Sequence, residues 1–317
     1  MLLSYCTNVH PAEHLDGVLD QLVRYAAPVR EAAGLDVLGV GLWMPAVLAH
    51  RLAGSPDDRV RLRAVLDEHG LQVHTLNAFP YGGFHADVVK LDVYSPTWAG
   101  PERLADPLAC AEGLAERRPA GVAGSISTLP LAWREPWTDA DDDAATRAFA
   151  ALGEGLRDLR ERTGKVVRVA VEPEPGCVLD TVDDVVAWLA ARTGPDVPAD
   201  RRIDPEHVGV CLDTCHLAVS FADRRAGTAA TVRRITDAGL RVVKVQASAA
   251  LRVAAPAAVA GAGAARDGGD PLAALRRLTD AEAALAAGRA PCRARGEPAA
   301  RAAARLRGTR ARGGAPG

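Results

Sequence analysis

The stretch VGVCLDTCH, residues 208–216, runs five apolar or small residues straight into Asp213 and places His216 three residues later. A short run without polar alternation suits a strand covered on both faces, as in a parallel sheet flanked by helices. The reactive side chains then fall at the strand's carboxyl end. Three readings of that end are open from the residues alone. It is a metal-binding corner built on Asp213 and His216, a redox or nucleophilic site built on Cys211 and Cys215, or a strand end whose aspartate caps the next helix.

Runs of the same kind recur on either side. They begin near Leu2 (LLSYC), Val37 (VLGVGLW), Val73 (VHTLNAF), Val122 (VAGSIST), Val166 (VVRVAVE) and Val242 (VVKVQAS). Helical spacing lies between them. Phe149, Leu152, Leu156 and Leu159 step along one face, with Gly164 as a stop. Thr181-Val-Asp-Asp184 reads as a capping box ahead of Val185, Val186 and Leu189, and Asp139–Asp143 as a solvated helix start. Asp57 and Asp58 open a further helix that stops at Gly70, and Pro28 is expected to break the helical segment over 15–33. Strand alternating with helix seven times means an α/β fold, either an open doubly wound sheet or a (β/α)8 barrel. The first strand exits through CTNVHPAEH, which has no glycine to form a phosphate loop. Polar side chains instead follow strand after strand: Asn8 and His10, Trp43, His74 and Asn77, Ser125 and Ser127, Glu172 and Glu174, Asp213 and His216, Gln246. A ring of reactive groups at the carboxyl ends favours the (β/α)8 TIM barrel. It is an incomplete one, because no eighth strand can be found.

Its place falls to a change in composition. Residues 1–251 carry the barrel pattern. Residues 252–317 hold 24 Ala, 12 Arg, 10 Gly and 5 Pro and no aromatic residue. So little apolar bulk does not offset the entropy of ordering, so a disordered tail is expected, partly helical over 271–288. Its composition is also that of a GC-rich gene read out of frame. The chain as a whole has a net charge of −2, which gives no bulk attraction to nucleic acid or anionic membrane. No apolar run is long enough to span a bilayer, and the N-terminus lacks the pattern of a signal peptide. Six cysteines in 317 residues make no disulfide scaffold, and a reducing, cytoplasmic setting is expected.

Glu172 follows the apolar VAV of the fifth run, and Pro173 and Pro175 stiffen the exit. Glu174, further out, reads as a surface or capping charge. Glu172 and Asp213 on adjacent strands would repel without a cation between them. One divalent ion (Mn, Zn, Co or Fe) is therefore expected, acting as a Lewis acid on a carbonyl or hydroxyl. Cys211 within its apolar run reads as a packed thiol, and Cys177 as structural. His10, His74 and His85 are candidate pocket residues, as are Phe79, Tyr81 and Phe84 in the Gly-hinged FPYGGFH. Trp43, Trp98, Trp133 and Trp137 suit either ligand stacking or loop packing.

VEPEPGCVLDT, CLDTCHLAVSF and VVKVQAS together resemble the xylose-isomerase-like TIM-barrel superfamily, which spans sugar isomerases and epimerases and the endonuclease IV group. Within it, TNVHP, GLWMP, TLNAFPYGGFH, GSISTLPLAW and EPEPGC are most similar to the EboE-type metabolite-traffic proteins. The resemblance covers about residues 1–250. It implies metal ligands at Glu172, Asp213, His216 and Gln246, with Glu172 and His216 also catalytic. A substrate pocket would be lined by Asn8, His10, Trp43, His74, Asn77 and Ser127. The superfamily's seventh-strand ligand is a histidine, where this chain has Gln246, and its eighth-strand glutamate has no counterpart here. The resemblance places first a role in processing or delivering a small-molecule precursor for export, with other proteins of one operon as partners. Second comes a metal-dependent sugar or polyol isomerase or epimerase. Nucleic-acid processing fits poorly, since that site needs more ligands than are present.

Overall fold

The computed structural model describes residues 3–10, 12–83, 90–117, 121–220 and 227–248. The composition-shifted segment, the helix expected over 271–288, Phe84 and His85 lie outside these residues. Seven parallel strands form one sheet in chain order: β1 (Ser4–Cys6), β2 (Leu38–Trp43), β3 (Leu71–Asn77), β4 (Gly124–Thr128), β5 (Val167–Val171), β6 (Val208–Asp213) and β7 (Val242–Gln246). All seven expected runs become strands. β2 and β6 are buried along their whole length, as strands covered on both faces must be. The sheet curls on itself. Lys244 on β7 reaches across the interior to Leu76 and Asn77 on β3 and Ser127 on β4. This is a curled, incomplete (β/α)8 barrel with seven strands among the described residues.

The helices follow their caps. α1 (Leu15–Gln21) leads through a π-helical turn, Leu22–Ala26, into α2 (Ala27–Ala33). Pro28 therefore does not break the segment. It sits in the first turn of α2, where its missing N–H costs little, and the wide turn before it makes room for the ring. α3 (Ala46–Gly54) and α4 (Pro56–Glu68) follow β2, and Ser55 caps α4. α5 (Pro101–Arg117) precedes β4. α6 (Asp139–Thr163) and α7 (Val182–Ala190) both open on complete capping boxes, Thr138 with Asp141 and Thr181 with Asp184. α8 (Thr214–Ser220) and α9 (Gly227–Asp237) flank the last crossover.

The main core lies between sheet and helices. Phe149, Leu152, Leu156 and Leu159 of α6 are all buried, on the face expected from their spacing. Trp98 stacks on Phe149 with ring centroids 3.9 Å apart, so its role is packing. Inside the barrel the strands approach closely. A Cβ on Gly209 would lie 2.5 Å from the Arg241 carbonyl oxygen, which only glycine avoids.

Candidate functional site

β5 ends at Val171, and Glu172 follows with its backbone N–H bonded to the Thr128 carbonyl, 3.1 Å away. That bond carries the sheet register one residue beyond the strand and holds Glu172 at its mouth. β6 and β7 pair so that Asp213 lies opposite Gln246 and Cys211 opposite Lys244. With a period of two, all four side chains share one face. Three adjacent strands thus deliver Glu172, Asp213 and Gln246 to one point.

The Gln246 side-chain amide donates to Glu172 Oε1 at 2.6 Å and to Asp213 Oδ2 at 3.2 Å. Only the NH2 end of the amide suits a place between two carboxylates. Asp213 Oδ1 accepts the backbone N–H groups of Cys215 (2.8 Å) and His216 (3.1 Å) and the Ser248 hydroxyl (2.5 Å). Asp213 is therefore both a helix cap for α8 and a site carboxylate. Burial pushes its pKa up, but the Cys215 side chain, the Ser248 hydroxyl, and the backbone N–H and ring of His216 outweigh burial and hold it below the ordinary value. Glu172 goes the other way. Burial raises it to about 7, against the pull of Lys244 and His216.

His216 is fixed through Nδ1, which lies 3.0 Å from the Pro173 carbonyl and 3.7 Å from Glu172 Oε1. A neutral ring donating from Nδ1 presents Nε2 as its basic nitrogen. Asp213, Cys215 and His216 each offer a ligand atom within 4.8 Å of the others. Carboxylate and imidazole donors from one turn of chain, beside a second carboxylate, fit a divalent cation. Glu172, Asp213 and His216 are the residues that would hold it.

Below this group lies Lys244, which is buried. Its Nζ contacts the Leu76 carbonyl at 3.0 Å, Asn77 Oδ1, and Ser127 Oγ at 3.1 Å, while Ser127 Oγ donates to Asn77 Oδ1 at 2.9 Å. Burial lowers its pKa, and the nearby acidic groups oppose that. Three acceptors around one ammonium argue for the charged form. Asn77 and Ser127 thus gather on the floor of the site. The other expected pocket residues are engaged elsewhere. His10 accepts from or donates to the Tyr5 hydroxyl at 2.7 Å and stacks on Tyr25 at 3.7 Å. Trp43 is buried and donates to the Pro80 carbonyl. His74 lies next to a register shift in β3, against Ser4 and Gln72. Asn8 Oδ1 is buried with no hydrogen-bond partner among the described residues.

Four participants were not among the site residues chosen from the sequence. Lys244 lies inside an apolar run, and only its two-residue offset from Gln246 puts it on the inner face. Ser248 follows the last strand. Glu174 accepts from the Tyr94 hydroxyl at 3.2 Å, and burial raises its pKa, so it is no ordinary surface charge. Cys215, which entered the sequence reading only as a redox or nucleophilic candidate, lies with its thiol in the Asp213–His216 group.

Residues 29–251 match the family model described as xylose isomerase-like TIM barrel. Comparison with curated proteins returns no significant match. Among solved structures, a D-allulose 3-epimerase from Methylomonas sp. is similar at 14% identity and a TM-score of 0.45, over 74% of this chain and 67% of that one. A D-tagatose 3-epimerase-like protein is similar at 15% and 0.42, over 65% and 66%. An AP endonuclease, family 2, from Brucella melitensis is similar at 15% and 0.43, over 77% and 89%. With the family match spanning most of the chain, and seven parallel strands carrying Glu172, Asp213 and Gln246 to one mouth, the chain belongs to the xylose isomerase-like TIM barrel family.

Proposed function

We propose that the chain is a divalent-metal-assisted isomerase or epimerase acting on a small hydroxy-carbonyl compound of the sugar or polyol class. The observation that carries this reading is the placement of Glu172: a buried carboxyl at the strand mouth, bonded to the Gln246 amide at 2.6 Å and with Oε1 3.7 Å from His216 Nδ1. A general base must stand within hydrogen-bond reach of the proton it takes. The ion, when bound, would polarise the substrate carbonyl. Glu172 then takes or returns the proton on the carbon next to that carbonyl. His216, oriented by Pro173, donates to or accepts from a substrate hydroxyl. Lys244 sets the positive floor that favours the ionised form of Glu172. A panel of aldoses, ketoses and polyols in D2O tests this by proton exchange at that carbon. Exchange is expected with one class, falling about 100-fold or more in Glu172→Gln. No exchange across the panel by metal-loaded protein would overturn it.

A second reading keeps the pocket without the conversion. It is the metabolite-traffic role, with a small molecule as cargo and proteins of the same operon as partners. Its support is the EboE-like motif set and the Gln246 amide, a neutral group bridging Glu172 and Asp213. Saturable binding of a panel member by calorimetry, without deuterium exchange, favours this role over the first.

A further inference from the structure

We propose that Cys215 is a metal ligand, so that the site takes a thiophilic divalent ion, of the zinc or cobalt kind, on Asp213, Cys215 and His216. The proposal rests on the reading above that a metal binds at this mouth, and adds which donor completes the set and which ions it selects.

The first ground is local geometry. Asp213 Oδ1 accepts the N–H groups of both Cys215 and His216, at 2.8 and 3.1 Å. One carboxylate oxygen thus fastens the start of α8 and leaves Oδ2 on the site side, where Gln246 meets it. Three side chains leave one turn of backbone with their ligand atoms within 4.8 Å of one another. The second is the state of the imidazole. Nδ1 lies 3.0 Å from the Pro173 carbonyl. Histidines that ligate metals usually donate their other ring nitrogen to such a carbonyl or carboxylate, which fixes the tautomer.

The third ground is the account of donors. Gln246 brings no charge, and its NH2 end faces the carboxylates. A thiolate at Cys215 restores an anionic donor from the first turn of α8, just after the neighbouring strand. Three of the other free cysteines, Cys110, Cys177 and Cys211, are buried, and Cys6 is exposed. Cys215 is partly exposed and joins a carboxylate and an imidazole. Binding releases the thiol proton to solvent, so the metal and one proton exchange places. Thiolate ligation favours zinc and cobalt over magnesium and manganese, which prefer oxygen.

Cobalt-loaded full-length protein tests the assignment by absorption. The expected result is visible ligand-field bands together with a near-ultraviolet thiolate-to-cobalt charge-transfer band. In Cys215→Ser the ligand-field bands persist, the charge-transfer band is lost, and zinc affinity falls at least about tenfold, by more than manganese affinity does. Ligand-field bands without charge transfer in the unmodified protein overturn the role of Cys215 and leave the metal reading standing. No cobalt binding at all overturns the metal reading itself. If Cys215→Ser does not fold, iodoacetamide labelling of the unmodified protein, mapped to peptides, decides instead. Zinc but not magnesium should protect Cys215, and equal labelling with and without zinc overturns the proposal.

Discussion

Lys244 is the residue on which the candidate site most depends for its charge. It satisfies Asn77, Ser127 and the Leu76 carbonyl at once, and it is one of the two groups that lower the pKa of Glu172. Lys244→Met keeps the length of the side chain and removes all three donors. Buried acceptors left unpaired cost about 1–3 kcal/mol each, so a loss on the order of 3 kcal/mol is expected in urea unfolding. The same variant should move the apparent pKa of Glu172 above its present value, which carbon-13 NMR of labelled glutamate would read. A second buried group gives a pH signature away from the site. Burial raises Asp106 to about 7, against the attraction of Arg103. A folded-state pKa above the unfolded one means that the native chain binds more protons between about pH 4 and pH 7. Stability therefore falls as pH rises through that window, by up to about 1.4 kcal/mol per pH unit from this group, and its contribution is flat above it. Asp106→Asn should flatten that slope in unfolding curves taken from pH 4 to pH 8. An unchanged slope would show that Asp106 stays ionised throughout. At this scale the sequence was informative where a polar residue directly follows an apolar run, as with Glu172 and Asp213. It was silent on Lys244, because a lysine inside an apolar run reads as an interruption until β6 and β7 are paired. Cys215 was obscured for a related reason: spacing along the chain does not tell whether a thiol faces the core or its neighbour's carboxylate.

The elements were legible where their signals are local. Thr181 with Asp184 is a side chain–backbone exchange within four residues and forms as read from the sequence, and Thr138 with Asp141 makes the same exchange where the sequence was read only as a solvated helix start. Thr181→Ala removes the acceptor for the Asp184 N–H and should cost about 1 kcal/mol. A thermal midpoint lowered by a few degrees would check it, and no change would mean that Trp188 and Val185 alone hold α7 down. Pro28 was less legible. Its effect depends on whether the preceding turn can widen, and the π-helical Leu22–Ala26 does so while keeping Leu22 and Ala26 buried. The shift in register between Val40 and Gly41 of β2, opposite Val73 and Thr75, is likewise a pairing property. It leaves His74 packed against Ser4 and Gln72 rather than at the mouth, which no reading of VHTLNAF in isolation reveals.

At the scale of the molecule, strand count and order were set by the repetition of apolar runs, since each buried parallel strand needs one. The curl was not. It rests on contacts such as that of Lys244 with Asn77, separated by most of the barrel in sequence. Among the described residues the hydrophobic core runs from Ala12 to Leu240. From the change in composition we propose residues 1–251 as the folding unit and residues 252–317 as dispensable to it. Burial of apolar surface dominates stability, and a tail built mainly of alanine, arginine, glycine and proline has little to add. A chain ended after Leu251 should keep the far-ultraviolet circular dichroism of the full chain and unfold within a few degrees of it. Its cobalt spectrum should also match, because Glu172, Asp213, Cys215, His216 and Gln246 all precede the cut. A large drop in the unfolding midpoint, or a changed cobalt spectrum, would overturn the proposal.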